Sequence, residues 1–164
     1  MEFQRYSKDH QEALIRLHRS ALVGISHGYS QEKEESDIRS IDSEYIMNGG
    51  EFLIGFVKGQ LVEMGGFRIV GDGVAELKRM RIAPELQGCG IGSALLDRLE
   101  ELAREKKLRK LVLDTAASRQ KTLSFYRRHG YVLVGEGLYG TQATLCFEKV
   151  LKELPNQPAV ESHL

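Results

Sequence analysis

Apolar positions recur along this chain with two periods, and the changes of period outline its elements. Phe3–Tyr6 reads as a first strand. Ser7 follows as a helix N-cap, and Leu14, Ile15, Leu17 and Leu22 form a helical stripe as far as Leu22. GISHGYS (24–30) is a loop. A second helical stretch is expected from Gln31 to about Met47, capped by Ser30 and interrupted by Ser36, Ser40 and Ser43. A β block comes next: EFLIGFV (51–57), a tight turn at Lys58-Gly59 and QLVEMGGFRIV (60–70). Gly71-Asp72-Gly73 turns into VAELKRMRI (74–82), which runs into QGCGIG (87–92). Beyond it Ile91, Leu95, Leu96, Leu99, Leu102 and Ala103 return to helical spacing, with charges on the other face. KLVLDT (110–115) is a short strand, and Arg119–His129 a helix ending at Gly130 as C-cap. YVLVGE (131–136) and ATLCFEKVL (143–151) close the chain as strands. The order β-α-α-β-β-β-loop-α-β-α-β-β puts hairpins first and a βαβ unit second. It predicts an α/β (α+β) fold with a mixed, mostly antiparallel central sheet flanked by helices.

Composition narrows the class without naming a ligand. The 164 residues, 41% hydrophobic and 28% charged, suit one globular domain, expected over 1–154. PNQPAVESHL (155–164) is expected as a loosely ordered tail. Lys+Arg and Asp+Glu balance at 23 each, so no net field points to nucleic acid or to an anionic membrane. No apolar run approaches the ~20 residues of a membrane span. MEFQRYSKDH lacks the apolar stretch of a signal peptide, so a cytoplasmic protein is expected. Cys89 and Cys146 lie far apart, and neither a disulfide framework nor a metal site is expected. Cys89 sits in the glycine segment, where a small residue filling a tight loop is a plainer explanation than thiolate chemistry.

QGCGIG carries the chemistry. Alternating glycines bare the backbone N–H groups just before a helix, an arrangement suited to a phosphate. A Walker A loop needs G-x-x-x-x-G-K-[ST]; counted from Gly88 the sixth residue is Ser93, and no Lys follows. A dinucleotide fingerprint fits in part, with Gly88, Gly90 and Ser93 in its three positions and Asp114 ending the next strand. Against it, the preceding strand carries Glu76, Lys78, Arg79 and Arg81, too polar for a parallel strand buried on both faces. The third fit includes the glutamine: Gln87 to Gly92 matches [QR]-x-x-G-x-[GA].

On that match, the segment RIAPELQGCGIGSALL resembles the acetyl-CoA-binding signature of the GNAT superfamily of N-acetyltransferases. Downstream, TLSFYRRHGY resembles the family's second cofactor segment: Phe125-Tyr126 and Gly130-Tyr131 keep its aromatic and glycine positions, while Arg119 and Thr122 replace the usual Asn and Ala. The element order resembles the family over roughly residues 3–150.

The resemblance implies transfer of an acetyl group from acetyl-CoA, as co-substrate, to a primary amine of a small molecule or peptide, by direct attack in a ternary complex. It makes Tyr126 the acid facing the leaving thiolate and Glu76, eleven residues before Gln87, the candidate base. It gives the diphosphate to the amides of Gln87, Gly88, Cys89, Gly90, Ile91 and Gly92, with Ser93, and the pantetheine arm to the strand end at Met80, Arg81 and Ile82, flanked by Thr122 and Phe125. Arg81, Arg127 and Arg128 are candidates for the 3′-phosphate. The acceptor would lie between GISHGYS and GEGLYGT (135–141), touched by His27, Tyr29 and Tyr139. His129 reads instead as a helix C-terminal residue facing the dipole. A homodimer is a candidate assembly, with ATLCFEKVL as its edge. Two alternatives stay open: a coenzyme A-binding regulatory module without catalysis, and a dinucleotide-binding oxidoreductase.

Overall fold

Lys58 and Gly59 both take positive φ, 50° and 76°, the geometry of a type I′ hairpin turn. That turn joins β2 (Glu51–Val57) to β3 (Gln60–Gly71) in a register that runs from Val57↔Gln60 to Glu51↔Phe67. The computed structural model describes residues 1–23 and 35–153. The remaining strands are β1 (Glu2–Arg5), β4 (Val74–Ile82), β5 (Lys110–Ala116), β6 (Val132–Tyr139) and β7 (Gln142–Val150). They form one seven-stranded sheet in the order β1-β2-β3-β4-β5-β7-β6. Every neighbouring pair is antiparallel except β4 and β5.

Alternate residues of the strands face two separate cores, because side chains leave a strand with a period of two. Leu53, Phe67 and Leu77 pack with Leu95, Leu99 and Ala103 of α2 (Ile91–Glu105) and with Leu123 and Tyr126 of α3 (Gln120–Arg128). Phe52, Ile54 and Met64 pack on the other side with Leu14, Ile15 and Leu17 of α1 (Gln11–Ala21) and with Ile38, Ile41 and Tyr45. α1 is entered through a 3₁₀ turn, Lys8–His10. Ser7 precedes it in extended conformation, and its hydroxyl meets His10 Nδ1 at 3.0 Å rather than a backbone amide.

One irregularity positions the site. Met64 pairs with Arg81 and Gly66 with Lys78, so Gly65 alone faces both Arg79 and Met80. Arg79 is the extra residue of a β-bulge, held at φ 60°. A Cβ at Gly65 would lie 2.4 Å from Met80 Sδ, so a larger residue there would displace the Met80 side chain. The Arg79 guanidinium is fixed by Asp37, with contacts of 2.9 to 3.1 Å, and Asp37 also accepts a hydrogen bond from the buried Tyr45 hydroxyl. Although burial opposes it, Arg79 with Tyr45 holds the Asp37 carboxyl below its ordinary range.

Two expectations are corrected. The second helix does not continue from Gln31 to Met47. Its described part is a 3₁₀ turn at Ile38–Ser40 followed by a π-helical turn at Asp42–Ile46, closed by Met47 N–H on Asp42 C=O at 2.7 Å. The Ser43 hydroxyl donates to Ser40 C=O, offering that carbonyl an alternative to the helical ladder. The proposed cap Ser30 lies outside the described residues. Nor is ATLCFEKVL an edge: β7 pairs with β5 on one side and β6 on the other, and β6 ends the sheet. The tail expected at 155–164 also falls outside the described residues.

Candidate functional site

β4 and β5 are in parallel register for only three rungs, from Val74↔Lys110 to Glu76↔Val112. Beyond Glu76 the bulged strand leaves β5, which continues alongside β7 as far as Ala116. A slot opens between the two strands, edged by the backbone of Leu77–Ile82 on one side and Leu113–Ala116 on the other. Met80, Arg81 and Ile82 lie on this edge, all half-buried.

The slot leads to the glycine loop. Gly88 and Gly90 both have φ 81°, a left-handed conformation that glycine adopts without strain. A Cβ at either would meet nothing within 4 Å, so the loop is open on that side. Gly90 is the N-cap of α2 and supplies no side-chain cap. The first-turn amides of Ile91, Gly92 and Ser93 therefore lack acceptors within the helix. The Gln87 and Cys89 amides instead turn back onto Pro84 and Leu86 carbonyls at 3.4 and 3.3 Å. The Gln87 side chain donates to Ile82 C=O at 3.2 Å, tying the loop to the end of β4. Gly92 sits 3.5 Å (from its Cβ position) from Ile82 and 3.7 Å from Phe125, which joins loop, strand and α3 in one place. The combination of bare donors and a helix N-terminus suits an anion.

Tyr126 lies inside this junction. Its ring packs edge-on against Phe125 (5.2 Å) and Tyr131 (5.4 Å) and is buried. Burial pushes its phenol up to about 12, opposed by the cationic Arg81 and Arg119. The phenol therefore keeps its proton at neutral pH. Thr122 is half-buried one turn earlier on the same helix. His129 caps the C-terminal end of α3, its Nδ1 2.7 Å from Phe125 C=O, which is the terminal position read from the sequence.

Glu76 stands at the vertex of the slot. Arg68 Nε–H donates to it at 3.1 Å across the ladder, and Lys78 Nζ lies 3.8 Å away. Arg68 also reaches Glu44 at 3.6 Å. Tyr139 is more than half exposed at the end of β6, next to the turn into β7. His27 and Tyr29 lie outside the described residues. A cavity of about 540 Å³ is lined by Ser20, Ala21 and Val23 at the end of α1, by Pro84 and Gln87, and by Arg119.

Three features went unread in the sequence. Glu63, between Val62 and Met64, has the alternation of a solvent-facing strand residue, yet it is fully buried because both faces of β3 are covered. The Asp37–Arg79 pair joins residues 42 apart, a separation that leaves no local signal. The cavity beside Arg119 joins the end of α1, the glycine loop and the head of α3, which no local pattern brings together.

Known proteins resemble this chain in sequence and in fold. The model of the acetyltransferase (GNAT) family matches residues 11–131. An IAA acetyltransferase from Azospirillum brasilense is 35% identical over 103 residues, 61% of this chain and 67% of that protein. An amino-acid acetyltransferase from Mycobacterium tuberculosis is 29% identical over 73 residues, 44% of this chain but only 39% of the relative. Among solved structures, a GNAT-family acetyltransferase from Staphylococcus aureus superposes with a TM-score of 0.84 at 18% identity, over 92% of this chain and 99% of that one. The PaiA N-acetyltransferase of Thermoplasma acidophilum, solved in complex with coenzyme A, superposes with a TM-score of 0.73 at 25% identity, over 91% and 98%. No helix among the described residues is long and apolar enough to cross a membrane.

Proposed function

This chain belongs to the acetyltransferase (GNAT) family, and from that premise we propose that it transfers the acetyl group of acetyl-CoA to a primary amine by direct attack in a ternary complex. The observation that carries the reading is the slot between β4 and β5, which runs from Glu76 to an uncapped helix N-terminus and has Tyr126 beside it.

Acetyl-CoA supplies an activated thioester. The amides of Gly88, Gly90, Ile91 and Gly92, with Ser93 and the adjoining Gln87 and Cys89, hold its diphosphate at the positive end of α2. The free edge at Met80, Arg81 and Ile82 pairs with the pantetheine amides and polarises the acetyl carbonyl. Thr122 and Phe125 flank the arm. Tyr126, protonated at neutral pH, donates to the departing thiolate. Glu76, oriented by Arg68, accepts the amine proton directly or through a water. The presence of both groups favours turnover over a coenzyme A-binding module without catalysis.

The acceptor is a small-molecule or peptide amine, approached from the side of His27, Tyr29 and Tyr139. The protein works in the cytoplasm, with neither nucleic acid nor membrane as partner. A homodimer would form through β6, whose Val132, Leu133, Val134 and Leu138 expose apolar surface at the end of the sheet. An amine screen with acetyl-CoA, read by release of free thiol, tests the activity: turnover of at least one amine is expected. Calorimetry that detects no acetyl-CoA binding would sink the reading.

A further inference from the structure

Three residues other than glycine take a left-handed backbone among the described residues: Lys58, Arg79 and Lys107, at φ 50°, 60° and 62°. Two of them have local reasons. Lys58 sits in the hairpin turn between β2 and β3. Lys107 follows α2, where its N–H donates to Arg104 C=O at 2.9 Å and Leu108 N–H to Ala103 C=O at 3.0 Å, the hydrogen bonds of a left-handed helix end. Arg79 lies inside β4, where neither device applies. That conformation is unfavourable for an L side chain and free for glycine. The chain nevertheless places a long side chain there, and the side chain is anchored. Its Nε–H and Nη2–H donate to the Asp37 carboxylate at 2.9 to 3.1 Å, and the two side chains are only 13% and 10% exposed. Asp37 is fixed in turn by the Tyr45 hydroxyl, which donates to it. Tyr45 is fully buried and packs edge-on against Phe52 of β2, ring centroids 5.0 Å apart.

A strut therefore runs from Phe52 through Tyr45 and Asp37 to one strained residue of β4. Tyr45 belongs to the core that α1 covers, on the opposite face of the sheet from α2 and the glycine loop. The residue it reaches is the bulge, just ahead of Met80, Arg81 and Ile82 on the edge that no longer pairs with β5. Released from Asp37, residue 79 would relax toward ordinary β geometry. The planar peptide units that follow would turn with it. We propose that Asp37 and Tyr45 are positioning residues, which act through Arg79 to hold the left-handed bulge and so set the slot edge at Met80–Ile82. For its effect on catalysis the proposal rests on the acetyltransfer reading: a turned edge misplaces the backbone that polarises the acetyl carbonyl, and that loss falls on kcat. An ion pair that only stabilised the fold would act alike whatever backbone residue 79 prefers. A strut acts because residue 79 is strained.

Two double variants isolate the strain. Asp37→Asn with Arg79→Gly and Asp37→Asn with Arg79→Ala both lose the ion pair and leave no unpaired charge buried. Glycine takes φ 60° freely, and alanine does not. Amine acetylation is measured for each against the parent, with folding verified by circular dichroism. Expected is a kcat within about threefold of the parent for the glycine variant and about tenfold below it for the alanine variant. The KM for acetyl-CoA should stay within about threefold in both, since the diphosphate loop is untouched. Equal kcat in the two double variants overturns the proposal, as does a loss confined to KM. An alanine variant that fails to fold where the glycine variant folds supports it. Should neither fold, Tyr45→Phe decides, since it keeps the ring on Phe52 and removes the hydrogen bond to Asp37. A kcat lowered about threefold or more then supports the strut, and a parental kcat overturns it. A parent that acetylates no amine marks the separate failure of the acetyltransfer reading. Amide hydrogen exchange of Arg81 and Ile82, which pair with Met64 and Glu63, then reads the strut without turnover. Faster exchange in the alanine variant than in the glycine variant supports it, and equal exchange overturns it.

Discussion

Arg68 and Glu76 face each other across the β3–β4 ladder with the guanidinium 3.1 Å from the carboxylate, at the last rung where β4 still pairs with β5. The carboxylate is thereby oriented at the vertex of the slot, only one-fifth exposed. Glu76→Gln keeps the shape and loses the proposed base. It should lower kcat about a hundredfold while the KM for acetyl-CoA stays put. Steady-state rates of the two proteins test this, and an unchanged kcat would remove Glu76 from the chemistry.

Tyr126→Phe removes one oxygen from a packed ring and leaves the contacts with Phe125 and Tyr131 in place. Turnover should fall by about ten- to a hundredfold, with the calorimetric affinity for acetyl-CoA within about twofold of the parent. A matching loss of affinity and turnover would show that the phenol serves binding alone.

The loop glycines differ in what they permit. Gly90 has φ 81°, which a side chain adopts only under strain, whereas Gly92 has no positive φ and would place a Cβ in ordinary contact with Ile82 and Phe125. Gly90→Ala should cost about 1 kcal/mol locally and weaken acetyl-CoA binding severalfold. Gly92→Ala should bind nearly as the parent. Calorimetric titration of both variants checks the order; equal behaviour would mean that the loop conformation does not govern binding.

Glu63 predicts a pH dependence of stability. It is fully buried, neither carboxyl oxygen has a hydrogen-bond partner among the described residues, and burial pushes it from 4.5 up to about 7. The folded state holds a proton that the unfolded chain releases. The contribution of this group is therefore complete below about pH 4.5 and is lost as pH rises to about 7, a change of about 3 kcal/mol. Glu63→Gln should abolish this component, so urea midpoints of variant and parent converge toward pH 4.5 and separate in the variant's favour by pH 8. A constant difference across that range would place the titration elsewhere.

Much of the site is legible in the chain because its signals are local. The period of apolar residues named nearly every element, the glycine spacing with Gln87 named the loop, and Phe125-Tyr126 lay at the expected distance downstream. Where the expectation failed, at Gln31–Met47, the described residues take part in a buried side-chain network: Asp37 binds both Tyr45 and Arg79, the latter on a strand 42 residues away. Periodicity carries no trace of such a partner.

The sequence by itself determined the kind and order of the elements, the left-handed loop positions and the family, since each depends on residues within one turn or one motif. Tertiary structure alone decided that β7 lies inside the sheet and β6 at its edge, that a bulge at Arg79 parts β4 from β5, and that Glu63 is sealed without a hydrogen-bond partner among the described residues. Burial and charge pairing are properties of surfaces brought together from distant parts of the chain, and no local pattern records them.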